Sequence, residues 1–500
     1  MRSGQIKMTI ENKKGKFAHL LYRNQFILGP DVNGFESWRG FDLSGGLQLR
    51  IHPELNFNLA RLDGKLILLL GYILDPGNPD ASDSDILTAL LRKSGSCAEI
   101  IRNTFGYGGR WVIIFDDGRD RILFHDAAGL RQVFYAKMDS GIWCASQPGT
   151  LSGILDLKMD TAAAEFINSE EFKKDKENRW PAESTAYKEI RHLLPNHWLD
   201  LKTGVRKRYW PDGPLGVLSM NEGLQRAADR LRGLMKSAAQ RFELALSMTA
   251  GLDSRLVLAA SRQIKNRLEF VTVNQVRMGA AHPDVIVPRR LLAKLGLPHT
   301  TIESGFQVED GFLKTFHSSV DFAHRLYAYD AYAIYKYGGQ RKVAVTGSVS
   351  EIARCSYRLE GQISSETLAR LQRMGRNKFA LNNFDEWLSG LGNIYNLHPL
   401  DLFEWEQGHG NWLAMCQQEF DSAWKDIFTP FNCRALLLDM LSVPEKFRSP
   451  VPGRFYKRLI SRLWPEVLIQ PINPHLKRPF YSLVTPQVKR LIRNFVLVSR

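Results

Sequence analysis

The sequence predicts an α/β protein in two parts, and three observations carry that reading. Over the first two hundred residues, short β-branched and aromatic runs alternate with turn residues, and few long helical patterns appear. After Pro211 the pattern changes to alternating helix and strand, the signature of a parallel sheet. A length of 500 residues exceeds one average domain and suits two or three, each with enough chain for a sizeable core. The expected division is 1–212 and 213–500, with the boundary in the stretch 211–220.

Taken in order, Trp111 to Phe115 and Ile122 to Phe124 flank the turn Asp116-Asp117-Gly118, which predicts a hairpin. A second hairpin-like pair surrounds Lys202-Thr203-Gly204 and runs from His197 to Trp210. Beyond the boundary, the apolar run of Phe242, Leu244 and Leu246 gives way to a helical pattern at Leu256, Val257, Ala259 and Ala260. A strand from Leu268 to Val273 follows, then a helix from Val285 to Leu295, Gly296, and a short strand from His299 to Ile302. Another helix, Leu326 to Tyr337, precedes the strand Val343 to Val345, and from about residue 365 helical patterns dominate. The chain has no internal repeat or low-complexity segment.

Composition excludes several classes. The longest apolar run, Leu66 to Leu74 interrupted by Gly71, is far too short to cross a bilayer. No charged start followed by an apolar block marks a secretory signal, so a cytoplasmic protein without a membrane partner is expected. The five cysteines (Cys97, Cys144, Cys355, Cys416, Cys433) are scattered and never paired at a metal-ligand spacing, as reduced buried thiols would be. A formal charge of +15 suits anionic substrates or nucleic acid. The basic clusters Lys13-Lys14-Gly15-Lys16 and Lys173-Lys174-Asp175-Lys176 lack interleaved aromatics, however, and read as solvated faces rather than a nucleic-acid surface.

The segment Ser247-Met248-Thr249-Ala250-Gly251-Leu252-Asp253-Ser254-Arg255 turns a strand sharply into a helix through small residues. Such a turn offers unencumbered backbone N–H groups and a helix N-terminus, both suited to a nucleotide phosphate. Asp253 adds a carboxylate, and a carboxylate beside phosphates implies a bridging Mg²⁺. On the bare pattern, an ordinary strand–helix turn fits as well. A Gly-x-Gly-x-x-Gly fingerprint and the Lys-Ser/Thr ending of a Walker loop are both missing, so neither a dinucleotide fold nor a P-loop NTPase is indicated.

Residues Thr249 to Ser254 resemble the Ser-Gly-Gly-x-Asp-Ser pyrophosphatase loop of the asparagine-synthase family, with Thr for Ser and Ala for the first Gly. Distant segments resemble the same family in the same order. Asp126-Ala127-Ala128-Gly129-Leu130-Arg131-Gln132-Val133-Phe134-Tyr135 is similar to the Asp-Pro-x-Gly-x-Arg-x-Leu-Tyr run of its glutaminase-type domain. Leu194-Pro195-Asn196-His197 and Tyr209-Trp210 resemble the exit from that domain, and His282-Pro283-Asp284, Leu295-Gly296 and His299 the elements after the loop. Thr346-Gly347-Ser348-Val349-Ser350-Glu351 resembles the family's Ser-Gly-x-Gly-x-Asp, with Glu351 in the place of a second metal-binding carboxylate.

The resemblance spans roughly residues 60–355 and extends more weakly to the carboxyl end. It implies an N-terminal Ntn-hydrolase-like domain of the class II glutamine amidotransferase type. After it comes an adenine-nucleotide α-hydrolase-like domain with a PP-loop, a Rossmann-like parallel sheet and a helical C-terminal part.

The resemblance also implies a chemistry. ATP would be split between its α and β phosphates, AMP joined to a substrate carboxylate, and AMP then displaced by an amine or ammonia. Thr249, Gly251 and Ser254 would hold the pyrophosphate, with Ser247, Ala250, Leu252, Arg255, Val273, Thr346 and Gly347 completing the nucleotide site. Asp253 and Glu351 would coordinate Mg²⁺. Lys477, in Asn473-Pro474-His475-Leu476-Lys477-Arg478-Pro479, resembles a lysine that neutralises the leaving pyrophosphate. Arg255 could reach a phosphate oxygen or be an exposed helix arginine, and His282, His299, His324 and His409 share no metal spacing and read as structural.

The amino-terminal half departs from the family. A working glutaminase needs an N-terminal cysteine nucleophile, but Met1 is followed here by the bulky Arg2 and the first cysteine is Cys97. The Asn-Gly pair of the family's oxyanion hole is replaced by Leu70-Gly71, so this domain is expected to lack glutaminase activity. The nitrogen would then come from free ammonia, a separate ammonia-supplying partner, or an amine in the substrate, as in the family's β-lactam synthetases and lasso-peptide cyclases. Ser348 stands where a β-lactam former carries tyrosine, which argues against that chemistry, and neither Tyr357 nor Tyr329 is marked as a substitute. The carboxylate substrate could be aspartate, an amino-sugar acid or a peptide, and a homodimer is compatible with the sequence. A nucleotide-binding pseudoenzyme or scaffold is the alternative from another class. RNA thiolation would suit the basic charge but lacks a catalytic cysteine pair.

Overall fold

A computed structural model describes residues 15–359, 361–449 and 453–474. The strand-rich portion holds two six-stranded antiparallel sheets. The first runs Ile190–His192, Phe134–Met138, Gly141–Ala145, Phe26–Gly29, Gln48–Ile51, Arg39–Asp42. The second runs Arg206–Arg208, His197–Asp200, Arg121–His125, Gly108–Asp116, Lys65–Leu74, Phe57–Leu62. Alternation along the strands assigns the layers. Leu68, Leu70, Val112 and Ile114 face Leu28, Leu49 and Ile51 in a core between the sheets. Ile67, Leu69, Ile113 and Phe115 face outward onto the helices Asp83–Lys93 and Cys97–Asn103. On the other side, Ile27, Phe134 and Ala136 meet Leu151 of the helix Pro148–Leu155. Both expected hairpins are present.

The second portion opens with the helix Met220–Arg241, started by a capping box between Ser219 and Glu222. It leads into a five-stranded parallel sheet of order Thr300–Glu303, Leu268–Asn274, Leu244–Ser247, Val343–Val345, Asp426–Phe428. The predicted fold class, mixed α/β with a parallel sheet after a strand-rich part, is the one observed. The strand Asp426–Phe428 is a correction, because the sequence from about residue 365 reads as helical and three residues are too few to show a period. Chain order reverses beside Leu244–Ser247, whose neighbours are the second and fourth strands of the sheet. In open parallel sheets such a switch point leaves a crevice at the carboxyl ends of the strands.

The two portions share a buried interior. Arg110 pairs with Asp421 at 2.6 Å and Asp426 at 3.0 Å, and Arg131 with Asp426 at 2.7 Å. Two buried guanidinium groups thus meet two carboxylates, which balances the charge that burial would otherwise penalise. Trp405 Nε1 donates to the Ala127 carbonyl at 2.7 Å, and Asn432 Nδ2 to that of Gly109 at 2.7 Å. Among the described residues, no helix is long and apolar enough to cross a membrane.

Candidate functional site

The strand Leu244–Ser247 ends at the switch point, and the helix Leu252–Ala260 begins five residues later with Gly251 at its N-cap. The connecting loop is held by its own hydroxyls. Ser254 Oγ accepts from the Thr249 amide at 3.2 Å and lies 3.1 Å from Thr249 Oγ1, which accepts from the Gly251 amide at 3.1 Å. The Ala250 amide donates to Asp284 Oδ1 at 2.8 Å. Ala250 is not among the residues with positive φ, so alanine replaces the first glycine of the resembled motif without backbone strain.

The second motif crosses the start of this helix. Thr346 continues the strand Val343–Val345 by donating its amide to Phe428 O at 3.0 Å. A Cβ on Gly347 would stand 2.5 Å from the Asp253 carbonyl carbon and 2.7 Å from the Ser254 nitrogen, so only glycine permits this approach. Val349, in the place of the family's second glycine, is fully buried at φ +75°, a left-handed conformation that is rare for a β-branched residue. The turn Ser350–Arg354 then places Glu351 next to Asp253.

A cation already sits between these carboxylates. The Arg354 guanidinium contacts Asp253 Oδ1, and its Nη2 lies 3.2 Å from Glu351 Oε1. Ser350 Oγ also donates to Asp253 Oδ1. Among the described residues, Glu351 Oε2 is shielded from water without a hydrogen-bond partner, and His409 Nε2 stands 4.0 Å away. Burial and then the neighbouring Asp253 charge push the Glu351 carboxyl above its ordinary range, with Arg354 and His409 opposing. Hard carboxylate oxygens, one of them orphaned, suit a divalent cation such as Mg²⁺, and Asp253 and Glu351 are the residues that would hold it.

The structure brings Ser247, Thr249, Ala250, Gly251, Leu252, Asp253, Ser254, Thr346, Gly347 and Glu351 together around the carboxyl end of the strand Leu244–Ser247 and the start of the helix Leu252–Ala260. Val273 lies at the end of the adjacent strand, beside Thr272, whose Oγ1 donates to the Met248 carbonyl at 2.8 Å. Arg255 is neither exposed nor turned to the loop. It is wholly buried, and its guanidinium donates to the carbonyls of Gln470 and Pro471. Burial lowers it to about 10. That anchor draws residues 470–473 over the helix, where the Asn473 amide donates to the Ala250 carbonyl at 3.0 Å. Lys477 lies outside the described residues.

Sequence reasoning assigned Arg354 and Tyr456 no place at the site, named Asp284 and Ser350 only within their motifs, and read His409 as structural. Ser350 and Arg354 flank Glu351 within one turn, a spacing that could have flagged them. His409 sits in the π-helical stretch Glu404–Leu413 with Nε2 3.5 Å from Glu404 Oε1, neither ring nitrogen makes a hydrogen bond among the described residues, and its sequence context carries no such signal. His282, by contrast, caps the helix Pro283–Lys294, His299 meets Thr272 at 2.9 Å and His324 meets Glu419 at 2.8 Å, as structural histidines do.

In the strand-rich portion, Gly71 has φ +107° and a Cβ there would meet the Arg110 carbonyl oxygen at 2.1 Å. Its amide and carbonyl are both engaged by Asn56. Leu70 is fully buried and its side chain carries no hydrogen-bond donor. Cys97 is half-buried and the other four thiols are buried. Burial pushes all five upward, Cys97 to about 12 with help from Asp117, Asp120 and Asp200, and Cys355 to about 11.

No protein-family profile matches the chain. No curated protein matches it either. Among solved structures, it is similar to glutamine phosphoribosylpyrophosphate amidotransferase from B. subtilis, solved with ADP and GMP. The identity is 10%, coverage is 61% of this chain and 89% of that one, and the TM-score is 0.24. An NH3-dependent NAD synthetase from Campylobacter jejuni, in complex with nitrate, matches at 16% identity over 38% of this chain and 92% of that one, with a TM-score of 0.21. A structure described as the allosteric regulatory enzyme of purine biosynthesis matches at 12% identity over 62% and 76%, with a TM-score of 0.25.

Proposed function

We propose that the chain is an AMP-forming, ATP-dependent carbon–nitrogen ligase of the asparagine-synthase type, without glutaminase activity of its own. The observation that carries this reading is the convergence of the Thr249–Ser254 loop, Gly347, Asp253 and Glu351 at the switch point of a parallel sheet. The loop and the N-terminus of Leu252–Ala260 would take the β and γ phosphates, with the Thr249 and Ser254 hydroxyls fixing the loop shape before substrate arrives. Asp253 and Glu351 would hold Mg²⁺, which when bound neutralises phosphate charge. The residues would position the nucleotide against a substrate carboxylate, so that proximity and preorganised charge do most of the work. In this reading residues 1–212 form a glutaminase-like domain kept for docking, and 213–500 the synthetase. The amine is ammonia, supplied free or by a partner, or a group tethered in the substrate.

Pyrophosphate and AMP released from ATP with a panel of carboxylates test the proposal, with Asp253→Asn as the inactive control. A second reading, a nucleotide-binding scaffold without turnover, is favoured by one observation: Arg354 stands between the two carboxylates. Tight MgATP binding with no turnover on any carboxylate would select it.

A further inference from the structure

Arg110 and Arg131 are fixed along the whole guanidinium, whereas the equally buried Arg255 leaves its Nε without a partner among the described residues and is held by the Gln470 and Pro471 carbonyls. Arg110 Nε donates to Leu130 O at 3.1 Å, and Arg131 Nε to Arg110 O at 3.2 Å. Arg354 is held by side chains of the site. Among the described residues its Nε is shielded from water without a hydrogen bond, its Nη2 reaches Asp253, Glu351 and the Ser350 hydroxyl, and its guanidinium centre is 5.4 Å from the ring centroid of Tyr456. The Tyr456 hydroxyl is fixed by donating to Ser350 O at 2.7 Å, so the ring offers a firm surface along which the guanidinium can move. Arg354 is therefore held chiefly by the two carboxylates, and an unsatisfied nitrogen lowers the cost of leaving them.

Resting on the proposed nucleotide site, we propose that Arg354 is the resident cation of the Asp253–Glu351 pair: it excludes free divalent metal and passes to nucleotide phosphate when metal arrives with the nucleotide. The charges require an exchange of this kind. One guanidinium on two carboxylates leaves a single net negative charge, whereas a divalent ion added beside Arg354 would place two cations in contact. Phosphate oxygens offer the guanidinium a bidentate partner within the same crevice. A purely structural Arg354 would make its removal harmful to the site, while a resident cation makes its removal open the site to metal.

The test uses the full chain and Mn²⁺, with free Mn²⁺ followed by its EPR signal, first without nucleotide and then with ATP. Arg354→Gln should bind free Mn²⁺ at least about tenfold more tightly than wild type, about 1.4 kcal/mol. Asp253→Asn/Arg354→Gln should lose that gain. Arg354→Lys, which keeps charge but cannot span both carboxylates, serves if the glutamine variant does not fold and should fall between. Equal free Mn²⁺ affinity in wild type and variants, or a gain that survives Asp253→Asn, overturns the inference even if wild type binds MnATP. Absence of Mn²⁺ and MnATP binding in every form would overturn both the inference and the nucleotide site beneath it.

Discussion

Gly347 has no room for a side chain against Asp253: the backbone of one passes within van der Waals contact of the other, and a Cβ would stand 2.7 Å from the Asp253 Cβ. The obstacle is the first turn of the helix Leu252–Ala260, which cannot yield without moving the Asp253 carboxylate away from Glu351. Gly347→Ala should lower stability by about 1–3 kcal/mol, as overpacking does. It should also reduce Mg-dependent ATP turnover at least about tenfold, because each 1.4 kcal/mol of misplacement is a factor of ten. Calorimetry and pyrophosphate release read the two effects, and an alanine variant with an unchanged melting temperature would contradict the packing argument.

Asp426 neutralises parts of both Arg110 and Arg131. Asp426→Ala leaves two buried guanidinium groups to share Asp421, so it should destabilise the chain by about 3–5 kcal/mol. Urea unfolding measures the loss. A change below about 1 kcal/mol, the usual range for an exposed pair, would show that water reaches this network.

Three histidines give the stability a pH slope. Burial lowers His192 to about 3, with His125 adding to the shift. It lowers His197 to about 3 with Arg208 the next cause, and His52 to about 4 with Arg23 the next. The unfolded chain therefore binds these protons near pH 6.5 while the folded chain refuses them, so their stabilising effect is full above about pH 6.5 and declines as pH falls toward 3–4. Each contributes a slope of up to about 1.4 kcal/mol per pH unit within that window. Between pH 7 and 5, the urea midpoint should fall, and His197→Gln should flatten the slope. A midpoint independent of pH across that range would refute the assignment.

All five thiols are held protonated by burial. A thiol reagent at pH 8 should modify only the half-buried Cys97 in the native protein, and slowly, against all five after denaturation. Glutamine should give no glutamate, and Cys97→Ala should leave that baseline unchanged. Rapid labelling of a second thiol, or glutamate release that Cys97→Ala abolishes, would reveal a nucleophile that the buried thiols do not supply.

The loop and the fold class were legible because each is local. Small residues between an apolar run and a helical period mark the turn at Thr249–Ser254, and alternating strand and helix patterns mark the parallel sheet. The strand Asp426–Phe428 escaped because it is short and follows a long helical stretch. Arg255 was misplaced for another reason: its fate depends on the carbonyls of Gln470 and Pro471, more than two hundred residues away in sequence. Arg354 shows the same limit at the site itself. Its spacing from Glu351 is visible in the sequence, but its contact with Asp253 depends on two loops meeting at the switch point.

The most direct measurement of the central claim is the product of ATP cleavage in the presence of carboxylates and ammonia or an amine. AMP and pyrophosphate are expected in equal amounts, abolished by Asp253→Asn with the fold intact by circular dichroism, and without dependence on glutamine. ADP and phosphate as products, or wild-type pyrophosphate release from Asp253→Asn, would contradict that claim.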